Sequence, residues 1–310
     1  MKIYIDGSAG TTGLQIHDRL AARQDLELVT LPDELRKDPS ARRDALNGCD
    51  IAFLCLPDDA AREAVSMIEN PAVRVIDAST AHRTAEGWAY GFPELSDEHR
   101  AAIEKGARIA NPGCHATGFT VSVYPLVKLG VVPADYPLTC FSLTGYSGGG
   151  KKMIADYQGP EKPEGLNAPR IYGLNQAHKH LPEMQKICGL TRAPVFSPIV
   201  DDYYKGMATT VTPHPDLLPG HQTAKTIREA LDDYYQWQKL INVAPLNWGT
   251  PMIDANAFAG RDDLMLIVSG NDERVTVTAL FDNLGKGASG AAVQNMNILM
   301  GVDELTGLNV

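Results

Sequence analysis

A single cysteine stands out for its surroundings, since Cys114 follows directly on Asn111, Pro112 and Gly113. The proline disfavours a helical conformation for the residue before it, and the glycine permits a sharp turn. Apolar residues then recur at helical spacing over 114–130, which predicts that Cys114 lies at a helix N-terminus, where backbone N–H groups favour an anion. A thiolate in such a position is a nucleophile. We therefore predict that Cys114 is a catalytic nucleophile, with a buried structural cysteine as the alternative.

A second group of ionisable side chains lies in the stretch AHKHLPEM, residues 177–184. His178, His180 and Glu183 could exchange protons near neutral pH, because histidine titrates in that range. Two other interpretations stay open. A His-x-His pair with one carboxylate could bind zinc, although three ligands without a cysteine make a weak case, so no metal is predicted. The stretch could also be an exposed surface loop.

A glycine-rich turn follows the first predicted strand and precedes an amphipathic segment. Glycines in such a turn let backbone N–H groups approach a pyrophosphate at a helix N-terminus, and threonine hydroxyls add donors. The spacing G-x-x-G-x-x-G departs from the usual dinucleotide-binding pattern, so a purely structural turn is the alternative. The predicted cofactor-binding residues here are Gly7, Ser8, Gly10, Thr11, Thr12 and Gly13.

The residues after the second predicted strand bear on the choice between NAD and NADP. An acidic residue at this position favours NAD, and a nearby arginine favours NADP. Both kinds are present, since Asp33 and Glu34 precede a basic group made of Arg36, Lys37, Arg42 and Arg43. We predict NADP(H) as the cofactor with Arg36 as a contact, and a solvated helix face is the alternative for these side chains.

Further polar residues are candidates for phosphate contacts. Ser79 and Arg83 follow a predicted parallel strand, at the edge where open α/β sheets bind ligands. Both suit the substrate phosphate, and Ser79 is also assigned to the cofactor. Ser147 and Lys151 lie in GYSGGGKK, a glycine-rich loop suited to an anionic substrate. Asn111 is predicted to contact the substrate or to orient the cysteine loop.

The order of the elements predicts two domains. Strands at 2–6, 26–31, 50–57, 73–79 and 107–113 alternate with helical segments, among them 58–70 with an aspartate N-cap, which indicates βαβ units and a parallel sheet. Strands at 140–147, 195–200, 206–214, 241–245 and 274–285 follow, broken by one helix at 223–238, which indicates an α+β domain with a mixed sheet. A last helix is predicted at 287–302. The stretch 148–180 is predicted to be a long, functional loop.

Composition narrows the function classes. The chain has 310 residues, a net charge of −10 and no block of basic residues, which argues against nucleic acid or an anionic membrane as a partner. No apolar run approaches the ~18 residues of a membrane-spanning helix, and the N-terminus does not resemble a secretory signal. The five cysteines form no paired framework, so a reducing, cytoplasmic location is expected.

Four segments in the same order, GSAGTTG, ANPGCHATGF, SLTGYSGGGKK and AHKHLPEM, resemble the N-acetyl-γ-glutamyl-phosphate reductases, also called N-acetylglutamate semialdehyde dehydrogenases, in their shorter subtype. The resemblance covers essentially the whole chain. It implies a Rossmann-like NADP-binding domain of residues 1–112 with 287–310, and a catalytic and oligomerisation domain of residues 113–286. His115 departs from the aromatic residue common in the family, and we interpret it as a subtype difference.

The resemblance also implies the reaction: NADPH-dependent reduction of an acyl phosphate to an aldehyde, with release of phosphate, in arginine biosynthesis. Cys114 would form a thioester, and His180 would be the acid/base partner, with His178 and Glu183 nearby. Gly287 would lie in the segment that returns the last helix to the cofactor. A homodimer or homotetramer is expected. The alternatives are a reductase of aspartyl or aminoadipyl phosphate, or a dinucleotide-binding sensor without turnover.

Overall fold

The computed structural model describes residues 1–249 and 251–310, and the chain divides into two compact units. The first unit comprises residues 1–112 and 288–308, and the second comprises residues 113–287 and 309–310. Gly287 and residues 309–310 therefore pack with the second unit, whereas the sequence placed them in the first. In the described part of the chain, no helix has both the length and the apolar character needed to span a lipid bilayer.

The strands of the described residues form two sheets. In chain order they are β1 (Lys2–Asp6), β2 (Glu27–Val29), β3 (Ile51–Leu54), β4 (Arg74–Asp77), β5 (Ala89–Tyr90), β6 (Arg108–Ala110), β7 (Thr139–Gly145), β8 (Arg170–Ile171), β9 (Val195–Asp201), β10 (Met207–Val211), β11 (Ile241–Val243), β12 (Leu264–Gly270) and β13 (Val275–Phe281).

The α-helices of the described residues are α1 (Thr11–Ala21), α2 (Pro39–Gly48), α3 (Asp58–Ser66), α4 (Asp97–Lys105), α5 (Cys114–Lys128), α6 (Gly150–Gln158), α7 (Leu181–Ile187), α8 (Ala224–Tyr235) and α9 (Gly290–Met300). Short 3₁₀ turns occur at Pro93–Leu95, Tyr146–Gly149, Glu164–Asn167 and Pro215–Leu217, and a π-helical turn, Gly285–Ser289, precedes α9.

The first unit is built on a parallel sheet in the order β2-β1-β3-β4-β6-β5. The strand order reverses between β1 and β3, so the glycine-rich turn after β1 lies at a topological switch point, where such sheets bind ligands. Helix α9 is buried on nearly all sides, and Val293 and Met296 pack among Ile3, Ile16 and Leu20. The predicted α/β Rossmann-like class is confirmed.

The second unit is built on a mixed sheet in the order β11-β12-β13-β10-β7-β9-β8. The pairs β11–β12 and β7–β9 are parallel and the others are antiparallel. Helix α5 packs on β10 and β13. A Cβ atom at Gly118 would lie 2.5 Å from both Cβ and Oγ1 of Thr209, so glycine allows the helix to approach the sheet closely. The predicted α+β class with a mixed sheet is confirmed.

Several sequence predictions are wrong in detail. The stretch 148–180 is not one long loop, since it contains α6 and β8. Strand β12 and the helices α2, α4 and α7 were not predicted. The predicted aspartate N-cap of the third helix is also wrong, because α3 is preceded by Pro57 and no side chain caps it. The carboxylate of Asp58 accepts hydrogen bonds from the backbone N–H and the hydroxyl of Thr80 instead.

Candidate active site

Cys114 is the first residue of α5, as its sequence context predicts. No side chain of its own caps this helix end, and its first turn contains no acidic residue, so the helix itself supplies no charge that neutralises its positive N-terminus. The other thiols are poorly suited to ionise, because burial raises the pKa of Cys49 to about 11 and that of Cys55 to about 12, and it raises the pKa of Cys140 and Cys188 further. The other four cysteines are therefore poor candidates for a nucleophile, and the nucleophilic role of Cys114 stays a prediction.

Glu183 holds the backbone directly before the cysteine. Its Oε1 accepts a hydrogen bond of 2.9 Å from the N–H of Gly113. The carboxylate is almost fully buried, with 1% of the residue exposed, and it lies in the first turn of α7. A buried carboxylate that accepts a backbone N–H forms a strong, charge-assisted bond. Glu183 consequently fixes the turn that presents Cys114.

The two predicted histidines lie beside the N-terminus of α5. The ring centroids of His178 and His180 are 4.7 Å apart, and the ring of His115 lies 5.5 Å from the first and 5.7 Å from the second. The Nδ1 atom of His178 accepts a 3.2 Å hydrogen bond from the backbone N–H of His180. Within residues 1–249 and 251–310, no group of three His, Cys, Asp or Glu residues is arranged to hold a metal ion.

His115 and Tyr172, to which the sequence analysis assigned no part in the chemistry, lie beside these two histidines. The Nε2 atom of His115 lies 2.6 Å from the hydroxyl oxygen of Tyr172, and its Nδ1 atom lies 2.8 Å from the hydroxyl oxygen of Ser142. Burial, with a smaller contribution from the neighbouring His178, lowers the pKa of His115 to about 3, so this imidazole is neutral near pH 7. We call Cys114, His115, Tyr172, His178, His180 and Glu183 the cysteine cluster.

Burial raises the pKa of the Tyr172 phenol above its ordinary value, and the charge of the Cys114 thiolate raises it further. Tyr172 is thus a neutral hydroxyl within electrostatic range of the nucleophile. Tyr172 was not singled out from the sequence, because it lies in the stretch assigned to a loop. Its contact with His115 forms because β8 pairs with β9, which no local sequence pattern indicates.

Gly287 lies against Cys114. A Cβ atom at this position would be 3.1 Å from the Cβ of Cys114 and 3.1 Å from the carbonyl oxygen of Asp282. Any side chain would therefore press on the cysteine and on the strand end behind it. The predicted cofactor contact of Gly287 stays a prediction, and its packing against Cys114 is a separate reason for glycine.

The glycine-rich loop after β7 contributes one buried and one exposed residue. Ser147 is 1% exposed, and its hydroxyl oxygen accepts a 3.0 Å hydrogen bond from Nδ2 of Asn283. The amide oxygen of Asn283 accepts in turn from the N–H of Gly206, which ties the loop to β10. Lys151 is exposed in the first turn of α6. The substrate contacts predicted for Ser147 and Lys151 stay predictions.

In the first unit, the glycine-rich turn is built to carry backbone donors. Gly7 has a φ of +86°, and a Cβ atom there would lie 2.3 Å from the carbonyl oxygen of Cys55. A Cβ atom at Gly13 would lie 2.4 Å from the carbonyl oxygen of Gly7. Gly10 is the N-cap of α1 without a capping side chain, and the first turn has no acidic residue. Only glycine fits at positions 7 and 13, which suits close approach of the backbone to a phosphate.

An unsatisfied hydroxyl supports the same use of the turn. The Oγ1 atom of Thr11 is buried and has no hydrogen-bond partner in the part of the chain that the structure describes. A cavity of about 350 Å³ adjoins the turn, and its lining includes Gly7, Ser8, Leu28 and Arg36 but not Thr11. A buried hydroxyl without a partner is costly, so a ligand oxygen at this position fits the donors that are present.

The basic group after β2 separates into two parts. Arg36 and Lys37 line the cavity, and Arg36 forms an exposed ion pair of 2.7 Å with Asp33. Arg42 also touches the cavity, but its guanidinium is largely buried and pairs with Asp6 at 3.0 Å and Glu63 at 3.3 Å. Arg42 thus has a structural role, while Arg36 is available to a ligand at modest cost, because exposed ion pairs contribute little.

The polar residues at the ends of β4 and β6 hold these strand ends together. Both the N–H and the hydroxyl of Ser79 donate to the carboxylate of Asp77. Arg83 donates to the carbonyl oxygens of Asn111 at 2.9 Å and Ala78 at 3.0 Å. The Asn111 amide donates to the carbonyl of Ala288. The ligand contacts predicted for Ser79, Arg83 and Asn111 stay predictions.

Comparison with known protein families gives two matches. The description "Semialdehyde dehydrogenase, NAD binding domain" matches residues 32–103, and "Semialdehyde dehydrogenase, dimerisation domain" matches residues 114–283. Among curated proteins, N-acetyl-γ-glutamyl-phosphate reductase 2 of Pseudomonas putida is 48% identical over 305 residues, which covers 96% of each chain. The N-acetyl-γ-glutamyl-phosphate reductase of Sinorhizobium medicae is also 48% identical, over 96% of this chain and 98% of that protein.

Solved structures show the same fold at much lower sequence identity. Aspartate semialdehyde dehydrogenase from Francisella tularensis superposes with a TM-score of 0.74 at 14% identity, over 97% of this chain and all of that one. Aspartate semialdehyde dehydrogenase II from Vibrio cholerae, complexed with ASA, gives a TM-score of 0.72 at 16% identity, over 97% of this chain and 98% of that one.

Proposed function

Since the chain belongs to the N-acetyl-γ-glutamyl-phosphate reductases of the semialdehyde dehydrogenase family, we propose that it reduces N-acetyl-γ-glutamyl phosphate to N-acetylglutamate semialdehyde and phosphate in arginine biosynthesis. The observation that carries this proposal is the cysteine cluster. A thiol at a helix N-terminus stands beside two histidines and a buried carboxylate, in a chain related over its whole length to reductases of this name.

The first half of the reaction is acyl transfer to Cys114. Its thiolate attacks the acyl carbon, and the bond from that carbon to the phosphate oxygen breaks, which leaves a thioester and inorganic phosphate. The N-terminus of α5 stabilises the thiolate and the negative oxygen of the tetrahedral adduct. Glu183 contributes by fixing Gly113, so the sulfur is held in one position.

In the second half, the thioester on Cys114 is reduced and the aldehyde leaves. Bound NADPH supplies the hydride for this step. The tetrahedral thiohemiacetal on Cys114 then collapses, its C–S bond breaks, and the thiolate is regenerated. His178 or His180 holds the proton that the thiol loses at the start, because an imidazole near pH 7 can exist in either protonation state.

The match to an NAD binding domain indicates a nicotinamide dinucleotide as the cofactor. In this proposal it binds at the glycine-rich turn. Its pyrophosphate would accept hydrogen bonds from the N–H groups of the first turn of α1 and from the Thr11 hydroxyl. NADP is preferred over NAD in this proposal, because Arg36 and Lys37 line the adjoining cavity. Both side chains present positive charge where an additional phosphate would lie.

The match to a dimerisation domain indicates an oligomer. A homodimer or homotetramer is the finer proposal, and light scattering tests it against a monomer of 33.5 kDa. The substrates are small molecules, and neither nucleic acid nor a membrane is part of the proposed activity. The cytoplasmic location stays a prediction from the sequence.

The proposed function is tested in the reverse direction, because the aldehyde is easier to handle than the acyl phosphate. NADP⁺ reduction is followed by absorbance with N-acetylglutamate semialdehyde and phosphate, for the wild type and for Cys114→Ala. We expect phosphate-dependent turnover that disappears in the variant. Turnover with aspartate semialdehyde instead would keep the chemistry and contradict the substrate. Absence of turnover with both aldehydes, in protein that binds NADP, would contradict the proposed function.

A further inference from the structure

Four side chains form a continuous series of hydrogen bonds that ends in the cysteine cluster. The hydroxyl oxygens of Thr209 and Ser142 are 2.7 Å apart, on the paired strands β10 and β7. Ser142 Oγ lies 2.8 Å from Nδ1 of His115, and Nε2 of His115 lies 2.6 Å from the hydroxyl oxygen of Tyr172. The proposed function does not use the Thr209, Ser142 and His115 part of this series.

The direction of the series follows from burial. Thr209 and Ser142 have no exposed surface, and His115 is 2% exposed, so water does not reach them. In the described residues, 1–249 and 251–310, the Thr209 hydroxyl bonds to Ser142 alone. If Tyr172 donated to His115, each bond would point towards Thr209, and the Thr209 O–H would have no acceptor. A buried donor without an acceptor costs about 1–3 kcal/mol.

The opposite direction leaves no buried donor unsatisfied. Thr209 then donates to Ser142, Ser142 donates to Nδ1 of His115, and Nε2–H of His115 donates to the oxygen of Tyr172. The Tyr172 O–H needs an acceptor in turn, but Tyr172 is partly exposed, so a ligand or water can supply one. A neutral His115 is required, because both ring nitrogens of an imidazolium are donors. The lowered pKa of about 3 meets that condition.

We propose that Tyr172 is a hydrogen-bond donor to the reacting oxygen on Cys114, and that His115, Ser142 and Thr209 are positioning residues that fix the direction of its O–H. The inference deepens the proposed function and rests on it for the identity of that oxygen. No bond forms or breaks at Tyr172. The phenol keeps its proton and stabilises the negative oxygen of the tetrahedral adduct, as a side-chain donor of an oxyanion hole does.

The tautomer of His115 tests the direction without any assay of activity. Protein labelled with ¹⁵N at histidine distinguishes Nδ1–H from Nε2–H by chemical shift, and His115→Phe identifies the signal. We expect neutral His115 protonated at Nε2 in the folded wild type. Protonation at Nδ1 would overturn the proposal, because Tyr172 would then donate to the imidazole and not to a ligand.

A double-mutant cycle tests the connection to the reaction. Tyr172→Phe is expected to lower kcat by about 10²-fold with little change in KM, because the lost donor acts mainly in the transition state. Ser142→Ala should lower kcat by about 3–10-fold in the wild type and have no further effect in Tyr172→Phe. Equal losses in both backgrounds would overturn the proposal, because they would show that Ser142 acts through general packing.

Ser122→Ala is the matched control. Ser122 is also fully buried, and its hydroxyl donates to the carbonyl of Gly118 within α5, outside the series. Its kcat should stay within about two-fold of the wild type, as for a hydroxyl without a role in the reaction. If the wild type showed no turnover, that result would count against the proposed function only. The tautomer of His115 would still decide whether the series of hydrogen bonds has the proposed direction.

Discussion

The turn before α1 and the turn before α5 use the same construction for different purposes. Each places a glycine, Gly10 or Gly113, as the N-cap of a helix, and neither helix end has a capping side chain or an acid in its first turn. Around the first turn the neighbours are mainly backbone, and Gly7 and Gly13 have no room for a Cβ atom. Around the second they are ionisable side chains. A helix N-terminus surrounded by backbone binds an anion, and one surrounded by acids and bases can also react.

The largest expected effect separates reaction from binding. Cys114→Ser should lower turnover by at least about 10³-fold, because a serine hydroxyl is far less ionised and less nucleophilic than a thiol. NADPH affinity, measured by fluorescence titration, should change little, since the change leaves the turn before α1 intact. Loss of both properties together would contradict the separation of roles between the two turns.

A change in the other turn should have the opposite pattern. Gly13→Ala places a Cβ atom 2.4 Å from the carbonyl oxygen of Gly7, so the turn must shift and NADPH affinity should fall by about 10–100-fold. Gly48→Ala is the matched control, because nothing lies within 4 Å of the added Cβ atom. Titration of both variants with NADPH measures the difference. Unchanged affinity in Gly13→Ala would show that this turn does not hold the cofactor.

The support of the second turn by Glu183 predicts an intermediate effect. Glu183→Ala removes the acceptor of the Gly113 N–H and should lower kcat by about 10–100-fold. Glu183→Gln keeps an oxygen at that place and should recover a large part of the activity. If the glutamine variant were as inactive as the alanine variant, the charge of Glu183 would matter more than its bond to Gly113.

The smallest effect concerns stability against acid. Burial lowers the folded-state pKa of His115 to about 3 from the ordinary 6.5, so the unfolded chain binds the extra proton first as the pH falls. The contribution of neutral His115 to the free energy of unfolding is complete above pH 6.5. Below that pH it declines by about 1.4 kcal/mol per pH unit. Urea unfolding near neutral pH and one unit below about 6.5 should show this loss in the wild type and not in His115→Phe.

The exposed His221 provides the control for that measurement. Its φ of +53° favours asparagine as the replacement, because asparagine tolerates a left-handed backbone. His221→Asn should lose stability with acid as the wild type does. A similar loss in His115→Phe would show that other groups cause the acid sensitivity.

The sequence predicted both turns, but it did not predict the surroundings of both equally well. The glycine-rich turn and the Cys114 helix end were both located, because glycine spacing and Pro112-Gly113 are local signals. The parts of the cysteine cluster that come from distant segments were harder to predict. Tyr172 reaches His115 only after the chain has folded back along β9, and no local pattern encodes that contact.

Other omissions have local causes. Helix α2 had its signals, an Asp38 N-cap and Pro39 in the first turn, but Arg42 and Arg43 were considered only as members of the basic group after β2. Strand β12 is the continuous apolar run LMLIVSG, paired along its length with β13. Such a run lacks the alternation of a half-buried strand, and it was passed over.

The contact of Gly118 with Thr209 limits which residues can vary together. The threonine occupies the space that a methyl group at 118 would need, with both its Cβ and its Oγ1 at 2.5 Å. A larger residue at 118 therefore requires a smaller one at 209, and alanine or glycine there has no hydroxyl to offer Ser142. The absent side chain on α5 is thus the condition for a polar one on β10, and the two positions can be expected to evolve as a pair.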